Sequence, residues 1–233
     1  MSVMGIYFLF VAAVAVSWLW REGVTESPWL QEGEVPAYRG ALGRPTAART
    51  ALTIFLAVAL CLFSLMSAAF FMRMDSADWQ SPPLPRILWF NTAVLVVSSV
   101  ALQIAQSSAR SDAYTRMRRA LAVGGVASLI FLAGQLWAWR QMAVGGFYAS
   151  QNPANAFFFL LTGAHALHLM GGLVALFRAN SKAWRREDHK GLAATVELCA
   201  IYWHFLLVIW LLLFALLVGW ADNLGVICRR LLS

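Results

Sequence analysis

Asn155–Gly172 reads NAFFFLLTGAHALHLMGG, an apolar run with two histidines, His165 and His168, set into its middle. Lipid tails offer no hydrogen bonds, so imidazoles at that depth must face protein, water or a metal. A separation of three residues puts both on one side of a helix, and Gly163, Gly171 and Gly172 leave room for a neighbouring helix to come close. A second run, Glu197–Trp210 (ELCAIYWHFLLVIW), carries a third histidine, His204. These two segments set the fold class, because each is a membrane helix with polar groups that something must meet.

The rest of the composition agrees. Of 233 residues, 61% are hydrophobic and only 12% charged, which is the balance of an integral membrane protein. No polar segment is long enough for a separate soluble domain, so residues 1–233 read as a single membrane domain. A net charge of +7 is met more simply by basic cytoplasmic loops than by a nucleic-acid partner. Cys61, Cys199 and Cys228 lie far apart and form neither a CxxC pair nor a zinc pattern.

An all-α bundle of six transmembrane helices follows, each near the ~20 residues that a hydrocarbon core of ~30 Å demands. The expected spans are about 4–20, 51–72, 87–105, 120–139, 154–177 and 198–220. The first ends in Trp18-Leu-Trp-Arg21, an interfacial anchor rather than a cleavage site, so it is expected to be retained. Ser81-Pro-Pro-Leu-Pro85 is a stiff turn that extends neither flanking helix. Of the 18 Lys and Arg residues, thirteen fall in the 21–50, 106–119 and 178–197 connections. That asymmetry places those three loops in the cytoplasm and both termini outside.

Three kinds of chemistry fit such a chain. A haem or metal could take imidazole ligands. His165 and His168 would reach toward the same neighbour, however, and His204 lies nearer the inner end of its helix, so the depths do not match. The plainer reading is that each imidazole bonds the next helix and fixes packing. Proton or ion transport needs titratable groups within the bilayer, and the apolar spans hold no Asp, Glu, Lys or Arg near mid-depth. Nor is an internal repeat visible, which weighs against a secondary transporter. Lipid binding is the third: Trp18, Trp20, Arg21, Arg178, Trp184, Arg185 and Arg186 gather at the inner boundary, where they can hold phosphates while indoles lie at headgroup level.

Thr162-Gly-Ala-His165-Ala-Leu-His168, taken with Glu197 and Tyr202-Trp203-His204-Phe205 followed by Trp210, resembles subunit III of cytochrome c oxidase and related haem-copper oxidases. Asn91-Thr92 followed by Leu95 and Ser98-Ser99 is similar to that family's NT helix, and Gln135 before Trp139 to its glutamine helix. Trp20-Arg21-Glu22 through Glu26-Ser27 resembles the segment that leaves the family's second helix. The six helices thus look like helices two to seven of the seven-helix form.

The resemblance implies a non-catalytic membrane subunit of a bacterial terminal oxidase in the inner membrane, packed on subunit I beside subunit II, with cytochrome c as donor to the complex. Haem and copper would sit in the partner subunits and none in this chain. Phospholipid would be held in a cleft near Trp20, Arg21, Arg178 and Arg185. Thr162, His165, His168, Glu197 and His204 would be structural polar contacts. The chain departs from the family at its intramembrane carboxylates, where it has Ala59, Ala138 and Leu207. An accessory subunit of nitric oxide reductase and a free-standing b-type membrane cytochrome are the alternative readings.

Overall fold

The computed structural model describes residues 47–74, 76–111, 113–185 and 189–219, together with 13, 16 and 17. They hold five long helices: α1 (Ala47–Met74), α2 (Ile87–Arg110), α3 (Tyr114–Val144), α4 (Pro153–Arg185) and α5 (His189–Leu217). All five are long and apolar enough to cross a membrane, and the described residues contain no strand. Of the helix expected over 4–20, only residues 13, 16 and 17 are described, each helical; the rest lies outside the described residues.

Local chemistry sets the helix ends. Pro82, Pro83 and Pro85 supply no backbone N–H, and α2 starts only after them, with Leu88 N–H turning back to the Pro85 carbonyl at 3.1 Å. At the start of α4, Asn152 precedes Pro153, and its side-chain oxygen accepts the Ala154 N–H at 3.0 Å. That is an N-cap followed by proline at the first helical position. α3 ends where Gly146 takes φ 81°, a left-handed value that glycine adopts without penalty. Phe147 N–H then returns to the Met142 carbonyl at 2.9 Å and Gly146 N–H to Ala143 at 3.1 Å, closing the last turn.

The helices also run past their apolar windows. Residues 114–119, 178–185 and 189–197, expected as loops, are helical. The bilayer sets only the minimum length; beyond it, Arg, Lys, Ala and Met keep good helix propensity and no proline intervenes.

By internal contacts the chain divides into two units, residues 1–65 with 222–233 and residues 66–221. In the first, Leu56, Ala59 and Phe63 are buried along one side of α1. The second holds α2 to α5 complete. There α2 packs on α3, α3 on α4, α4 on α5, and α5 returns to α2, closing an up-down ring of four helices. Trp203, Trp210, Phe131, Leu95 and Leu102 are fully buried in it.

Candidate functional site: a polar ladder inside the ring

One device recurs three times between these helices. Ser128, Thr92 and Thr162 each bond the carbonyl four residues back on their own helix: Gly124 at 2.8 Å, Leu88 at 2.8 Å and Phe158 at 2.6 Å. The hydroxyl hydrogen is thereby used and the oxygen is left to accept. Each oxygen takes an indole N–H from another helix: Trp203 to Ser128 at 2.9 Å, Trp210 to Thr92 at 2.9 Å and Trp139 to Thr162 at 3.0 Å. An indole can be buried in apolar surroundings only if its one donor is met, and here a small hydroxyl on the facing helix meets it. Ser98 joins the first of these rungs, 2.8 Å from Ser128 Oγ and 2.9 Å from the Gly124 carbonyl.

Each histidine finds a different environment. His165 is wholly buried, with its ring 5.8 Å from that of Phe131 on α3 and 5.1 Å from that of Trp210 on α5. His168 is half-buried and donates from Nδ1 to the Ala164 carbonyl of its own helix at 2.8 Å, while its backbone carbonyl accepts the Tyr202 hydroxyl at 2.7 Å. His204 bridges to α2, with Nδ1 2.6 Å from Ser99 Oγ and Nε2 2.8 Å from Gln103 Oε1.

Two expectations change. His165 and His168 share a side of α4 but not a surrounding, because a step of three residues still turns the helix by about 60° and takes the second ring toward the surface. Nor does depth set His204 apart from His168. Tyr202, two residues from His204, reaches the His168 carbonyl; what differs is direction, since His204 faces α2. Among the described residues, no group of three or more His, Cys, Asp or Glu is placed to hold a metal.

The glycines sort differently from their sequence positions. A Cβ at Gly172 would strike the Tyr202 and Trp203 rings, so close approach is real there. Gly171 has nothing within 4 Å, and Gly163 has only the Trp139 ring, at 3.8 Å. The other tight crossings are on α3, where Gly134 lies against the Asn91 carboxamide and a Cβ at Gly124 would stand 3.1 Å from Leu102.

At the end of the ring where α2 turns into α3, Arg110 of α2 pairs with Glu197 of α5 at 3.7 Å, and the Arg118 guanidinium lies 3.9 Å from the Trp184 ring centroid. Arg178 is exposed. Trp20, Arg21 and the Arg185 side chain lie outside the described residues. At the opposite end, Arg73 and Asp78 form an exposed pair. Hydrogen bonding from Ser76, and then the charge of Arg73, hold the Asp78 carboxyl below the usual carboxylate range. Ala59 and Ala138 are buried, and Leu207 is half-buried. Asn91 and Gln135 are buried too, and neither carboxamide meets a partner among the described residues.

Ser128 and Gln103 are the polar contacts that sequence reasoning missed. Ser128 carries no motif of its own. Its one signal is a hydroxyl four residues beyond a glycine inside an apolar span.

The sequence profile of the family described as cytochrome c oxidase subunit III matches residues 4–222. A probable cytochrome c oxidase subunit 3 of Nocardia farcinica is 29% identical over 181 residues, which covers 75% of this chain and 88% of that one. A protein of the same name from Mycobacterium tuberculosis is 26% identical, over 76% of this chain and 89% of its own length. The cytochrome c oxidase subunit 3 of Synechocystis is 27% identical, over 75% of this chain and 76% of its own. A match that runs through every helix of the ring and both histidine-bearing segments shows that this chain belongs to the cytochrome c oxidase subunit III family.

Proposed function

We propose that this chain works as the non-catalytic membrane subunit III of a haem-copper terminal oxidase, packed against subunit I and supporting its stability and proton uptake. The observation that carries this is the continuous family match over residues 4–222. On this reading haem and copper belong to the partner subunits, electrons reach the complex from cytochrome c, and the chain itself holds no redox centre. The hydrogen bonds at both ring nitrogens of His204, and at Nδ1 of His168, support a packing role for these imidazoles. On this reading the apolar runs give six spans, the basic stretches put both termini outside, and the family role implies a bacterial inner membrane. Phospholipid at the inner rim is supported by exposed Arg178 and by the Arg118–Trp184 stack.

The test is purification of the tagged chain in mild detergent with an optical spectrum and a list of its companions, repeated after the companions are stripped. Haem absorbance should arrive with a large subunit and leave with it. A bare chain that keeps stoichiometric haem would overturn the reading.

A further inference from the structure

We draw no further inference here: the strongest candidate, the buried carboxamides of Asn91 on α2 and Gln135 on α3 inside the four-helix ring, carries nothing, because close packing closes their polar atoms off from solvent and nothing in the structure shows what they would hold.

Discussion

Ser128 shows how little polar surface this bundle uses to hold a large aromatic core. Its hydroxyl bonds the Gly124 carbonyl at 2.8 Å and accepts the Trp203 indole at 2.9 Å, so three helices meet within one residue's reach once Ser98 is counted. Ser128→Ala removes the acceptor but leaves the Trp203 N–H buried, and an orphaned donor costs about 1–3 kcal/mol. Trp203→Phe, which removes the donor instead, leaves no such orphan but opens a void. We expect Ser128→Ala to lower the thermal midpoint of the purified complex; an unchanged midpoint would mean that the rung contributes nothing. Glycine supplies the complementary case. Gly134→Ala drives a methyl group into the Asn91 carboxamide, and crowding of that kind costs about 1–3 kcal/mol. Gly171→Ala meets nothing within 4 Å and should be neutral or slightly stabilising, through better helix propensity. The two substitutions, compared by the same melting experiment, should separate by sign or by several degrees.

Between elements, the end of the ring where α3 turns into α4 depends on Asn152. It caps α4 through Ala154 N–H, and its amide also donates to the Gln80 carbonyl in the proline-rich turn before α2. Asn152→Ala should cost about 0.5–2 kcal/mol as a lost cap and release that turn as well. Hydrogen exchange in residues 76–86 and the first turn of α4 should quicken together; quickening in α4 alone would show that the tie to Gln80 is not used. The elements themselves were largely legible in the sequence, because a bilayer sets a minimum apolar length and the runs at 87–105 and 154–177 meet it without ambiguity. Their ends were not. Apolar length says where a helix must exist, whereas Arg116, Arg118 and Arg178 sit on helix that continues past the apolar run. The polar ladder was half legible. His204 and Thr162 stood out as polar residues in apolar runs, and both bond across helices. Which partner each would find depended on pairings such as Thr92 with Trp210, 118 residues apart, and no local pattern encodes those. Gly171 and Gly172 were equivalent as letters; only the direction each faces made one a crossing point and the other surface.

At the scale of the whole molecule, the membrane acts on this chain through charge. The ring is uncharged through its middle: Ala138 is fully buried, and contacts across the helices there join hydroxyls to indoles and to the His204 imidazole. Charge is left to the ends, and its distribution predicts which way the ring faces in a membrane. Thirteen of the 18 Lys and Arg residues lie in the stretches 21–50, 106–119 and 178–197, which take in the helix ends flanking the α2–α3 and α4–α5 turns and the start of α1. Moving such loops across a membrane is unfavourable, while the opposite ends, with Arg73, Arg86 and Arg140, carry less to retain. The structure adds a consistency that charge counting lacks. In an antiparallel ring, fixing one connection fixes all of them, so Ser81 and Gly146 must share one side and Ala113 the other. The prediction follows directly. In a chain whose three cysteines are replaced by alanine, a new cysteine at Ser81 or Gly146 should react with an impermeant maleimide in intact cells, and one at Ala113 only after the membrane is opened. Reaction at all three before opening would mean a leaky preparation. The reverse pattern would invert the orientation while leaving the ring intact, because antiparallel packing fixes the relative sides and the loop charges alone choose which of them faces the cytoplasm.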